Sequence, residues 1–239
     1  MTGYTLVLIP GLMCDAAVWQ PQRRHLEAMT STVIAEHGVV AELGQMAEQI
    51  LALTPGPLAL AGHSMGGRVA LEVARRAPER LRGLALLDTG CRALAAGPEG
   101  ERERAARMGV VAQAEREGLR AAAEAWLAGM IHPSRLHDQK LRASIIEMWE
   151  RGSLAQLSAQ MQALLARADA SELLAQLRVP ALVLCGAEDL SAPIRQHLEM
   201  THLLPQSEYV QIADCGHMCT LERSAAVSAA LVRWLERLT

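Results

Sequence analysis

Short apolar runs recur along the chain at residues 5–9, 32–35, 58–61, 84–87, 181–185 and 208–212. Most are too continuous for strands with one wet face, and amphipathic helical patterns separate many of them. That rhythm predicts a parallel sheet covered on both faces. The covering helices are expected at 43–53, 67–76, 194–204 and 223–238. In the last, Val227, Leu231, Trp234, Leu235 and Leu238 fall on one helical face.

Between about 92 and 174 the rhythm breaks. The sequence turns rich in Ala, Arg and Glu and offers no strand. Leu119, Ala123, Trp126, Leu127 and Met130 form one helical stripe, and Leu141, Ile145, Met148 and Trp149 a second. Leu154, Leu157, Met161, Leu164 and Leu165 form a third, with Gly118, Pro133 and Gly152 as punctuation. An all-helical insertion, residues 92–174, is therefore expected within a core formed by residues 1–91 and 175–239.

Composition narrows the function classes. With 239 residues and 51% apolar types, the chain can bury a full core, filled by aliphatic residues and Met because Phe is absent. The net charge is −3 and the arginines are interleaved with Glu, so nucleic acid is not an expected partner. The N-terminal apolar run is too short for a signal peptide or membrane span, so a soluble cytoplasmic protein, monomer or homodimer, is expected. Five cysteines form no Cys-x-x-Cys pair, and reduced thiols are expected. No ligand cluster at metal spacing appears, so neither metal nor organic cofactor is expected.

The chemistry concentrates in Gly62-His63-Ser64-Met65-Gly66, between an expected strand and an expected helix. Strand, Gly-x-Ser-x-Gly, helix is the pattern of a nucleophile elbow: the turn is tight enough to strain the serine backbone, and only glycine fits on either side. A serine hydroxyl needs a base, and the base an orienting acid. His217 follows the strand at 208–212, and Asp189 follows the strand at 181–185. Glu188 and Asp88 are the competing acids. The chain order Ser64, Asp189, His217 suits this scaffold. Oxyanion donors are expected from the Met65 N–H, next to the nucleophile, and from the Leu12 N–H after Gly11.

These motifs resemble the α/β-hydrolase superfamily over nearly the whole chain outside the insertion. PGLMCDAAVW, GHSMGG and APERLRGLALLDT are similar to the small bacterial carboxylesterase branch, which includes pimeloyl-carrier methyl ester esterases. The resemblance implies a mostly parallel sheet, a helical lid at 92–174, and an esterase activity. It also exposes departures. Pro10-Gly11 stands where His-Gly is common, the segment 35–45 is short, and the usual N-terminal hairpin is expected to be missing, leaving about six strands.

The expected function is a serine hydrolase acting on a small-molecule carboxylic ester or thioester. C–C bond hydrolysis, lactone opening or a slow ligand receptor are the alternatives on the same scaffold. Trp126, Met130, Met148, Trp149 and Met161 are candidates to line the substrate pocket. Arg102, Arg104, Arg107, Arg116 and Arg120 are expected to form a solvated helix face with neighbouring glutamates, with attraction of a carboxylate as the alternative. Cys14, Cys215 and Cys219 are expected near the site, either as small buried hydrophobes or as a thiol whose alkylation blocks the pocket.

Overall fold

The computed structural model describes residues 3–238. Six strands, β1 (Thr5–Ile9), β2 (Thr32–Ile34), β3 (Leu58–His63), β4 (Leu81–Leu87), β5 (Ala181–Gly186) and β6 (Ser207–Ile212), form one sheet in the order β2-β1-β3-β4-β5-β6. Every neighbouring pair is parallel. β3 and β5 are buried at all positions, whereas the edge strands β2 and β6 are partly exposed. The continuous apolar runs are thus the central strands, as burial on both faces requires. β3 extends two residues beyond its apolar run, because Gly62 and His63 pair with Ile9 and Leu87 on either side.

Helices cover the sheet. α1 (Gln20–Glu27) packs on α11 (Ser224–Glu236), α2 (Leu43–Leu53) on α3 (Met65–Arg76), and α9 (Ile194–Leu203) on β5 and β6. α1 was not expected from the pattern, because QPQRRHLE buries only Gln22 and Leu26. The short α10 (Cys219–Glu222) precedes α11.

Five helices lie between β4 and β5: α4 (Pro98–Glu117), α5 (Leu119–Leu127), α6 (Gln139–Arg151), α7 (Leu154–Leu165) and α8 (Ser171–Gln176). Gly118, at φ +87°, ends α4 and starts α5. Asp138 caps α6 by accepting from the Leu141 N–H, and Ser153 caps α7 by accepting from the Gln156 N–H. The three apolar stripes are α5, α6 and α7, and the Trp126 and Trp149 rings meet across α5 and α6 at 5.3 Å. The boundary expected at 174 falls inside α8. No helix of the described residues is long and apolar enough to cross a membrane.

Because all six strands run the same way, their carboxyl ends share one edge. The loop after β1, the turn after β3, and the loops after β5 and β6 therefore converge there. The chain also reverses its direction of progress along the sheet between β1 and β3, where open α/β sheets form a crevice.

Candidate active site

Ser64 stands between β3 and α3 with φ 55° and ψ −117°. A side-chain-bearing residue in this region stores about 1–3 kcal/mol of strain, held by its surroundings. Here the Ser64 N–H donates to the Leu87 carbonyl at 2.8 Å, and its carbonyl accepts from Thr89 Oγ1 at 2.8 Å. A Cβ on Gly62 would come 2.3 Å from the Gly66 carbonyl oxygen, and one on Gly66 would come 2.0 Å from that of Ile9. The glycines are therefore dictated by close backbone approach, as the pentapeptide suggested.

Ser64 Oγ lies 2.8 Å from His217 Nε2, and His217 Nδ1 lies 2.8 Å from Asp189 Oδ2. The other Asp189 oxygen accepts from the Ser191 and Ala192 N–H groups at 2.8 and 2.9 Å. With Asp189 accepting at Nδ1, the network assigns the proton to that nitrogen and leaves Nε2 as the acceptor facing the serine. Burial pushes the His217 imidazole down, but the Asp189 charge and hydrogen bond, with help from Asp88, outweigh it and hold it above its ordinary value.

The competing carboxylates are placed elsewhere. Glu188 accepts from the Cys215 N–H at 2.9 Å. Asp88, fully buried, accepts from the Gly186 and Cys219 N–H groups at 3.0 and 3.2 Å and lies 3.5 Å from His63 Nε2. Burial alone would raise its pKa; the contacts to His63 and Cys219 and the nearby His217 bring it below the usual value. Both carboxylates anchor the loops around His217, and neither contacts its Nδ1.

Two further polar residues hold the site and gave little signal in the sequence. Glu222 accepts from the Gly216, Met218 and His132 N–H groups at 3.0, 3.2 and 2.8 Å, tying the His217 loop to the helical insertion. Gln160, buried on α7, accepts from the Met13 N–H at 2.9 Å and donates to the Gly38 carbonyl at 3.3 Å. It fixes the turn after β1. The one available clue was a polar residue inside an otherwise apolar helical stripe.

Leu12 and Met65 both line the cavity beside Ser64 and His217. Met65 opens α3, where an N–H has no intrahelical acceptor. Among the described residues, no hydrogen-bond acceptor engages either amide.

The cavity has a volume of about 440 Å³. Trp126, Met130 and Met161 line it, but Met148 and Trp149 do not. α6 packs on α5, Trp149 lies behind Trp126, and Met148 and Trp149 are both buried without lining the cavity. The arginine expectation also needs correction. Arg102, Arg104, Arg116 and Arg120 are exposed, whereas Arg107 lines the cavity, joined by Arg68 and Arg167. Arg107 is turned inward because its Nε donates at 2.9 Å to Glu103, which Arg167 also binds.

None of Cys14, Cys215 and Cys219 lines the cavity. Burial raises all three thiols, Cys14 to about 12, which leaves them protonated and poorly nucleophilic. The described residues contain no group of three or more His, Cys, Asp or Glu able to hold a metal ion.

Known proteins with the same architecture include several hydrolases. The chain is 26% identical over 252 residues to an (E)-2-((N-methylformamido)methylene)succinate hydrolase of Acinetobacter baylyi, covering 98% of this chain and 91% of that protein. It is 28% identical over 250 residues to a pimeloyl-[acyl-carrier protein] methyl ester esterase of Aliivibrio salmonicida, covering 98% and 93%. Its fold superposes on the malate-bound thermophilic esterase of Thermogutta terrifontis with a TM-score of 0.85 and 28% identity, covering 99% and 91%. The family model for the alpha/beta hydrolase fold matches residues 36–224. With the six-stranded parallel sheet and the strained serine turn at its carboxyl edge, that match makes this chain a member of the α/β-hydrolase family.

Proposed function

We propose that the protein is a serine hydrolase that cleaves a carboxylic ester or thioester of a small molecule through an acyl-enzyme. The observation that carries this reading is the pair of 2.8 Å contacts joining Ser64, His217 and Asp189. Ser64 Oγ attacks the carbonyl carbon while its proton passes to His217 Nε2. Asp189 orients the imidazole and stabilises the cation that forms. The Leu12 and Met65 N–H groups donate to the developing oxyanion, a contribution of roughly 3–4 kcal/mol for each donor.

As the carbonyl re-forms, the bond to the leaving oxygen or sulfur breaks, and His217 returns the proton to the departing alcohol or thiol. Water then attacks the acyl carbon and gives its proton to His217. The acid departs and Ser64 regains its hydrogen. Every bond and proton is accounted for by these three side chains and water. The helices α4 to α7 serve as the lid. The relatives named as esterases favour an ester over a C–C bond.

A burst assay with p-nitrophenyl acetate, butyrate and octanoate, on the wild type and on Ser64→Ala, tests this. Turnover in the wild type that vanishes in the variant is the expected result. Equal rates in both would remove Ser64 from the mechanism.

A further inference from the structure

Away from the serine, the charge of the cavity wall is unbalanced. Arg167 donates through Nη1 and Nη2 to the two oxygens of Glu103, both at 2.8 Å, and Arg107 Nε reaches the same carboxylate at 2.9 Å. One carboxylate therefore serves two guanidinium groups. The third, Arg68, has no carboxylate within ion-pair distance among the described residues. Its Nη1 donates to the Arg92 carbonyl at 2.6 Å, an oxygen that also accepts from Arg167 Nε at 3.2 Å.

The remaining carboxylate on the wall, Asp88, is engaged by Gly186, Cys219 and His63 and does not offset Arg68. Burial, then repulsion from Arg167, pushes the Arg68 guanidinium down to about 9. Arg68 is half-buried at the cavity wall, so an incoming anion can reach it, and a cation there without a counter-charge attracts one. Guanidinium groups are the planar donors best matched to a carboxylate.

Position adds a second argument. Arg68 is four residues beyond Ser64 on α3, a rise of about 6 Å. Long helical side chains lean toward the helix N-terminus, here toward the serine. Arg68 and Ser64 line the same cavity, so an anion held by Arg68 shares that space with a carbonyl over Ser64 Oγ.

We infer that this cavity selects esters bearing a second, free carboxylate, such as monoesters of short dicarboxylic acids, with Arg68 as the anchor and Arg107 and Arg167 as flanking donors. The hydrolysis step rests on Ser64 as nucleophile; the anion site does not. Glu103 sets the affinity by holding two of the three cations in check. Four of the five arginines singled out in the sequence are exposed, and the anchor comes from the helix that carries the nucleophile.

The test compares monomethyl glutarate and monomethyl adipate with their neutral dimethyl esters, following acid release at constant pH. In the wild type kcat/KM for the monoester exceeds that for the diester by about tenfold or more, mostly through KM. Arg68→Met, similar in length but neutral, abolishes the preference, and Glu103→Gln increases it. A wild-type ratio near one, or an Arg68→Met variant that lowers both substrates equally, would overturn the inference.

Calorimetry with monomethyl glutarate on Ser64→Ala, with and without Arg68→Met, separates the two readings. Saturable binding that Arg68→Met weakens, with no turnover by the wild type of these esters or of the p-nitrophenyl esters, keeps the anion site and removes the hydrolase reading. Diester turnover with no such binding does the reverse.

Discussion

The carboxyl edge of the sheet and the helical insertion face the same cavity, yet they are built by different rules. At the edge, position is set by backbone. A strained serine, two glycines that admit no Cβ, and loops pinned by Glu188, Asp88 and Glu222 leave each group little freedom. In the insertion, position is set by which side of a helix a residue falls on. Trp126 reaches the cavity while Trp149, its ring neighbour, does not. The edge carries the proposed chemistry, and the insertion with Arg68 carries the proposed selectivity.

If that division holds, substitutions at the edge should change rate far more than selectivity. The largest effect is expected from Asp189→Asn, which keeps the shape but removes the charge and favours the wrong imidazole tautomer. Comparable losses in serine triads are about 10,000-fold in kcat. Only neutral His217 can take the serine proton, so kcat/KM rises with pH through its pKa, which lies above the ordinary histidine value. Asp189→Asn should move that rise to lower pH, because burial then acts with less opposition. An unshifted profile would detach Asp189 from His217.

Glu222→Gln comes next. Gln can accept only through its carbonyl, so either the His132 N–H or both the Gly216 and Met218 N–H groups would face an amide NH2. A stability loss of about 1.5–3 kcal/mol, read by urea unfolding, is expected from weakening a charge-assisted cluster. Unchanged stability would mean the His217 loop is held by other contacts.

Met148→Ala tests the other side of the comparison. Its side chain is buried in the insertion and away from the cavity. A loss of about 2–5 kcal/mol is expected, with the ratio between short and long esters unchanged. A changed chain-length preference would put Met148 back at the pocket. The smallest effect is expected from Arg120→Ala, an exposed residue on α5 paired with Glu150, which should leave both melting temperature and ester preference unaltered.

The edge was largely legible in the sequence because its constraints are local. Gly62 and Gly66 flank Ser64 within five residues, and Asp189 and His217 follow apolar runs that become strands. The insertion was only partly legible. Periodicity located α5, α6 and α7, but a stripe does not say whether it faces solvent, cavity or another helix. Met148 and Trp149 were misplaced for that reason.

Arg68 and Arg167 gave no signal, because only the fold pairs Arg167 with Glu103 on α4 and leaves Arg68 beside them on the cavity wall without a carboxylate. Glu222 and Gln160 were hidden likewise: each accepts from a backbone N–H on a distant segment, that of His132 and of Met13. α1 was missed because it buries too few apolar residues to leave a pattern.

The most direct test of the central claim is covalent labelling with a p-nitrophenyl alkylphosphonate, from which an activated serine displaces p-nitrophenolate. One label per chain on the peptide containing Ser64, with none on the His217→Ala variant, is the result this account predicts. A label on a different residue, or equal labelling without His217, would contradict it.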